Sequence, residues 1–278
     1  MLSRALSFFC ISLLVSIPAR AIDLDFQKVL DFAKSARQAT KTIDEPEEIE
    51  IGHGIATNLL GASPLLPDAK VQQYVNQVGR WLSLHTNRPD LPWQFGVLES
   101  TDINAFATPG GTIFITEGLL QRLNNESELA GVLAHEIVHV LRKHHLAALQ
   151  KSARMDIASA LAGEAIKDKN NEVLEKAIKA GTEVYARGLD KKDEFEADRM
   201  GVVIATRSGY DPYGLPAVLQ MLDSINAQDS SLALMFKTHP APRARLDLLD
   251  KEMANRFDAY PAPSAADKRF SAEFAQAK

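Results

Sequence analysis

Between residues 69 and 84 the apolar side chains fall at Val71, Tyr74, Val75, Val78, Trp81 and Leu82. Steps of three and four place them on one face of an α-helix. The rhythm then changes. In "LPWQFGVLES" Trp93, Phe95 and Val97 alternate with other residues, which predicts a strand. "NAFATPGGTIFITEGLL" follows, two short extended runs around Pro109-Gly110-Gly111, and predicts a hairpin. Asn125 stands three residues before Glu128, the spacing of a capping box, so a helix starts there. Its apolar positions run on through "LAGVLAHEIVHVLRKHH" and predict a helix continuing to about Leu149.

Further helices are predicted near 153–167 and 171–187, over "KKDEFEADRMGVVIATRSG" to Gly209, and over "LPAVLQMLDSI" after a "DPYG" turn. "THPAPRARLDLLDKEMANRF" reads as a proline-punctuated loop entering a final helix. The charged "KTIDEPEEIEIGHG" reads as a surface helix and its entry. The fold class is α+β, mainly helical, with one small sheet ahead of the histidine-bearing helix. No repeat of solenoid or propeller length is present.

Composition narrows the class. At 46% hydrophobic and 24% charged residues, 278 residues can build one sizeable core. A net charge of −5 gives no basic surface for nucleic acid. Residues 1–21 have Arg4, an apolar run to about Ile17, and Ala19-Arg20-Ala21, the layout of a cleavable export signal. The run is short of the roughly 20 residues of a membrane span. The one cysteine, Cys10, lies inside it, so the mature chain has no disulfide, thiolate ligand or cysteine nucleophile. The expected organisation is a signal at 1–21, an N-terminal extension at 22–44, a catalytic domain at 45–258 and a flexible tail at 259–278. An export signal without disulfides points to a periplasm.

Residues 129–145 carry four of the seven histidines. His135, Glu136 and His139 spell H-E-x-x-H. Two histidines four apart sit one helical turn from each other, so both imidazoles can reach one ion. Glu136 stands beside them, where a carboxylate can take a proton from an activated water. Two histidines and a glutamate on an apolar helix need partners, because unpaired burial is costly. On an unbroken helix His145 would rise about 15 Å beyond His135, out of reach of a shared ion. His144 and His145 are therefore expected in solvent at the helix's negative end. His53 and His85 have no assigned role.

A catalytic zinc needs a third protein ligand. Carboxylates follow at Glu164, Glu172, Glu175, Glu183, Glu194, Glu196 and Asp198. Within "EFEADRMG", Glu194 and Asp198 share one helix face and Glu196 points away. Glu194 could bind the ion while Asp198 accepts the N–H of a ligating histidine. The competing reading of the same spacing is a solvated acidic face.

Four stretches in order, "NAFATPGGTIFITEGLL", "ESELAGVLAHEIVHV", "EFEADRMG" and "THPAPRARL", resemble the zinc metallopeptidase family of the heat-shock protease HtpX and the CAAX prenyl endopeptidase. The likeness covers roughly residues 45 to 250. It is to the soluble periplasmic branch that includes the beta-barrel assembly-enhancing protease. The resemblance implies a zincin-like domain with one Zn2+ per chain. It implies zinc ligands at His135, His139 and Glu194, Glu136 as catalytic base and Asp198 in support. It also implies a substrate-binding edge strand at Asn104, Ala105 and Phe106 with Gly110 and Gly111. His239 resembles a loop histidine that takes the open zinc position as a latch; a transition-state donor and a plain surface histidine are the other readings. Arg245 is expected to anchor that loop through a carboxylate.

The function implied is a periplasmic zinc endopeptidase acting on unfolded or misassembled envelope polypeptides, outer-membrane proteins among them. Peripheral association with envelope assembly machinery goes with it. The alternative is a chaperone or assembly factor that binds clients with little cleavage. The family's membrane members carry transmembrane helices and the beta-barrel protease a helical repeat domain; neither is expected in this mature chain.

Overall fold

The computed structural model describes residues 43–152, 188–225, 229–260 and 269–270. The predicted signal, most of the 22–44 extension and the predicted helices near 153–167 and 171–187 lie outside them. The expected α+β, mainly helical class holds.

Helix α1 spans Glu45–Ala62 and α2 spans Ala69–Leu84. Each starts on an aspartate whose carboxylate accepts first-turn N–H groups: Asp44 from Glu47, Asp68 from Lys70 and Val71. Most of the predicted apolar face of α2 packs, with Val75, Val78 and Leu82 buried, but Trp81 at its edge is 48% exposed. The sheet has the order β1-β3-β2: β1 is Gln94–Leu98, β2 Ala105–Ala107 and β3 Thr112–Thr116. β1 runs parallel to β3, and β2 antiparallel to it with Phe106 opposite Phe114. The predicted hairpin is present, turned by a short 3-10 segment at Pro109–Gly111.

α3 is the short Glu117–Leu120, and α4, Glu126–Leu141, carries the histidine motif. Asn125 caps α4, accepting from Glu128 N at 2.9 Å. The Glu128 carboxylate reaches back to the backbone N–H of Asn124 at 2.7 Å, one residue earlier than in a standard capping box. α5 is Lys191–Arg207, α6 Gly214–Ser224, α7 Ala233–Thr238 and α8 Pro242–Met253. α4 is buried nearly from end to end, so the motif sits in the core. Close approach by its neighbours depends on glycine. A Cβ on Gly201 of α5 would stand 3.0 Å from His135 N, and one on Gly131 of α4 would stand 2.6 Å from Leu215 N. Of the predicted C-terminal tail, Phe270 is buried in the main core and Arg269 bonds the carboxylate of Glu126.

One expectation fails. α4 stops at Leu141 instead of running to Leu149. Arg142 caps it, and Lys143 takes a left-handed conformation at φ 55°. Helix resumes over residues 144–152. A non-glycine residue there costs on the order of 1–3 kcal/mol, so something must hold it. Lys143 Nζ lies 2.8 Å from Glu48 Oε2, and Glu48 is 1% exposed. The same carboxylate takes Arg88 at 3.0 Å and the N–H of Gly110 at 3.4 Å. One glutamate of α1 thus ties the hairpin turn to the break in the motif helix.

Burial alone would raise the Glu48 carboxyl, but Arg88 and Lys143 hold it below its ordinary value of 4.5. A depressed folded-state pKa contributes stability above the unfolded value and loses it as pH falls through the folded one. Glu48→Gln is therefore expected to lower unfolding stability at pH 7 by about 2 kcal/mol. The gap to the parent protein should narrow as pH drops below about 4.5. Denaturant titrations at pH 7, 5 and 3.5 measure it; an equal gap at all three would contradict the pairing.

Candidate metal centre

α4 projects His135, Glu136 and His139 toward α5, which answers with Glu194 and Asp198. All five residues are at most 4% exposed. The Nε2 atoms of His135 and His139 face each other at 3.0 Å. Glu194 faces the pair with both oxygens, Oε2 3.7 Å from His135 Nε2 and Oε1 3.7 Å from His139 Nε2. Atoms bound tetrahedrally to one zinc at about 2.0–2.1 Å stand about 3.3 Å apart, so each of these contacts is close to the span an ion needs. Glu194 Oε1 is buried and has no hydrogen-bond partner among the described residues. An orphaned carboxylate oxygen in the core is costly unless something positive meets it. Two imidazoles and a carboxylate without sulfur are a donor set that suits zinc. The residues therefore fit a metal ion. The ligand atoms of His135, Glu136 and His139 lie within 4.8 Å of one another, and so do those of His135, Glu194 and His239.

The far sides of the two imidazoles are held differently. His135 Nδ1 lies 2.9 Å from Asp198 Oδ1, which fixes the tautomer with Nε2 free. Asp198 is clamped in turn by Arg245, Nε at 2.8 Å and Nη2 at 2.5 Å. Burial works against the Asp198 carboxylate, yet Arg245 and His135 hold its pKa far below the usual range. The expected carboxylate anchor for Arg245 is thus Asp198.

His139 Nδ1 meets His144 Nδ1 at 3.0 Å, and His144 Nε2 meets Glu196 Oε2 at 3.3 Å. This overturns the solvent placement of His144 and His145. His144 is 5% exposed, and the half-buried ring of His145 stands 5.4 Å from that of His139. The cause is the break at Arg142 and Lys143, which folds the chain back. Burial lowers His139, His144 and His145, the last to about 3, so all three are neutral at pH 7. Glu196 does point away from the metal-ligand triangle as expected, but onto His144.

His239 is no surface residue. It ends α7 and places Nδ1 2.6 Å from Glu194 Oε2. Burial would lower its pKa, but Glu194 raises it. Reciprocally, burial would raise Glu194, and His239, with His135 and Arg245 behind it, brings it to about 2. Burial pushes the Glu136 carboxyl up, partly offset by His135 and His239.

Glu136 and His239 line two adjoining clefts. One, of about 380 Å³, has apolar walls from Leu119, Val132, Val218 and Met235 and a polar rim at Asn104 and His135. The other, of about 300 Å³, runs past Ala105, Phe106 and His145. Asn104 Oδ1 accepts the N–H of Ala105 at 2.9 Å, which fixes the amide orientation. Its Nδ2 is buried without a hydrogen-bond partner among the described residues. Gly110 and Gly111, expected along the substrate edge, line neither cleft. They are buried in the hairpin turn, Gly110 against Ile49 of α1 and Gly111 against Trp93. No helix of the described residues is long and apolar enough to cross a membrane.

The model of peptidase family M48 matches residues 69–253. The beta-barrel assembly-enhancing protease of Escherichia coli (strain K12) is 33% identical over 214 residues, 75% of this chain and 44% of that protein. The protein of the same name from Yersinia pestis is 31% identical over 255 residues, 89% of this chain and 52% of that one. The mitochondrial metalloendopeptidase OMA1 of Schizosaccharomyces pombe is 25% identical over 178 residues, 64% of this chain and 52% of that one. The chain thus spans about half the length of these curated relatives.

Arg245 neutralises a carboxylate that has no access to water. Arg245→Met should cost about 3–5 kcal/mol of unfolding stability, because it leaves the Asp198 charge buried without its cation. Adding Asp198→Leu should recover most of the loss. Urea unfolding of the two variants measures this, and a double variant no more stable than the single one would contradict the pairing.

Proposed function

The chain belongs to peptidase family M48, and from that premise we propose that it is a zinc-dependent endopeptidase. The observation that carries the reading is the meeting of His135, His139 and Glu194 around one point, with Glu136 lining both clefts beside it. His135, His139 and Glu194 would hold the ion, and Asp198 would orient His135. Bound zinc would polarise the peptide carbonyl and make the attacking water more acidic. Glu136 takes the proton of that water and delivers it to the leaving amine. Its buried setting, which favours the protonated carboxyl, suits the second half of that task.

The substrate runs past Asn104, Ala105 and Phe106. Phe106 and Ala107 already have interaction partners, so the reading rests on Asn104. A buried amide donor at the rim of a cleft is suited to a peptide carbonyl oxygen. His239, whose ring nitrogen lies within 4.8 Å of the ligand atoms of His135 and Glu194, would take the open position and hold the enzyme latent. The peptidase domain is 45–258, preceded by an export signal at 1–21 and the extension at 22–44. The site of action is the periplasm, and the substrates are unfolded or misassembled envelope polypeptides. The names of the E. coli and Y. pestis relatives support that setting.

Two assays test the proposal. Zinc-loaded His239→Ala protein is expected to cleave an unfolded model protein faster than the parent does. Adding Glu136→Gln should cut the rate by about 10²–10⁴ while zinc stays bound. Cleavage that survives Glu136→Gln would remove the assigned base. A slower His239→Ala enzyme would make His239 a catalytic donor. Silence of all three proteins despite bound zinc would favour the client-binding alternative. Asn104→Asp keeps the Oδ1 acceptor and loses the donor, so kcat/KM should fall about tenfold or more. Unchanged kcat/KM would take Asn104 out of substrate binding.

A further inference from the structure

The two histidines of the motif are oriented by unlike means. His135 leans directly on the carboxylate of Asp198. His139 leans on a second imidazole, and the hydrogen-bond logic of that contact is fully determined once Nε2 of His139 is given to a metal. A neutral imidazole carries one N–H. With Nε2 used as the ligand, the proton of His139 is on Nδ1, which donates to His144 Nδ1 at 3.0 Å. His144 must then accept at Nδ1 and carry its own proton on Nε2. That nitrogen faces Glu196 Oε2 at 3.3 Å, with Asp193 Oδ1 at 4.0 Å. The other oxygen of Glu196 lies 2.5 Å from Arg142 Nη2.

We propose that His144 is a positioning residue for the zinc site, holding His139 in the metal-binding tautomer and orientation, with Glu196 and Arg142 holding His144. This rests on the zinc-site reading above. The geometry gives the arrangement a physical purpose. Glu136, Glu194 and Asp198 already place three carboxyl groups in a space that excludes water. A fourth carboxylate in contact with His139 would add charge that nothing nearby neutralises. An imidazole fixes the same N–H without that charge. The carboxylate that completes the relay, Glu196, is moved outward to where Arg142 and solvent reach it; the two side chains are 25% and 50% exposed. The left-handed Lys143 makes the relay possible, because a continuous helix would carry His144 away from His139.

The test measures zinc affinity by chelator competition, with unfolding stability of the metal-free protein measured alongside. His144→Phe keeps a ring of similar size and removes both nitrogens. It is expected to weaken zinc binding by about 10–100-fold. His144→Gln can still accept from His139 Nδ1 and should recover most of that loss. Glu196→Gln, which keeps an acceptor for His144, should weaken binding less than His144→Phe. In cobalt-substituted protein the visible band should shift for His144→Phe and stay near the parent position for His144→Gln. A purely structural His144 would lower metal-free stability in both substitutions alike and leave affinity and spectrum unchanged in the folded fraction. That outcome overturns the inference, and so does parent-like affinity in folded His144→Phe. Glu194→Ala separates the two levels of the account. If the parent protein binds one zinc and Glu194→Ala does not, the site reading stands and the His144 result judges this inference alone. If the parent binds no zinc, the site reading fails and the inference falls with it.

Discussion

Two carboxylates on one face of α5, Glu194 at 0% and Asp198 at 1% exposure, are carried into a space without water. A bare carboxylate there would cost several kcal/mol, so each must be met by positive charge or donors. Asp198 is met by the two-pronged contact of Arg245 and by His135. Glu194 is met on one oxygen by His239, while the other has no hydrogen-bond partner among the described residues. That asymmetry distinguishes the two. Asp198 is satisfied by the chain itself, whereas Glu194 keeps an oxygen that is not. α4 and α5 can sit close enough for this because Gly201 presents no side chain to the backbone of His135.

The second constraint is the end of α4. A helix that ran on would take residues 144 and 145 away from the site. The break returns them to it, and the turn is secured from outside by Glu48 of α1. The same glutamate touches the hairpin turn that leads from β2 into β3. α1, the sheet and the motif helix are thus tied through one buried carboxylate, and Asn104, which leads into β2, lines the same cleft as Glu136 of the motif helix. At the other end of α4, Glu126 receives Tyr74 at 2.6 Å, Tyr210 at 3.0 Å and Arg269 at 3.1 Å. Both ends of the motif helix are therefore fastened by ionic groups. That suits an element whose side chains must hold their positions to a fraction of an ångström.

Periodicity made most of the elements legible: the apolar face of α2, the alternation of β1, the hairpin and the Asn125 cap all stand where the pattern placed them. The H-E-x-x-H motif and the Glu194–Asp198 spacing were legible because one helical turn dictates which side chains share a face. The end of α4 was not. Arg142 and Lys143 are good helix formers, and the left-handed turn at Lys143 is imposed by a tertiary contact with a residue almost a hundred positions earlier. No glycine marks the spot. His144 and His145 were misjudged for the same reason, since their burial depends on that turn. Gly110 and Gly111 carried no signal separating a buried turn from a substrate edge. Their φ values of 77° and 107° explain their identity without reference to a ligand.

The claim on which the account rests is that His135, His139 and Glu194 together hold one zinc ion. Zinc K-edge absorption on the zinc-loaded protein, with metal content measured on the same sample, tests it most directly. The expected result is one zinc per chain, with at least two imidazoles and carboxylate oxygen at about 2.0–2.1 Å and no sulfur. A shell with one imidazole or none, or zinc far below one per chain after loading, would contradict it.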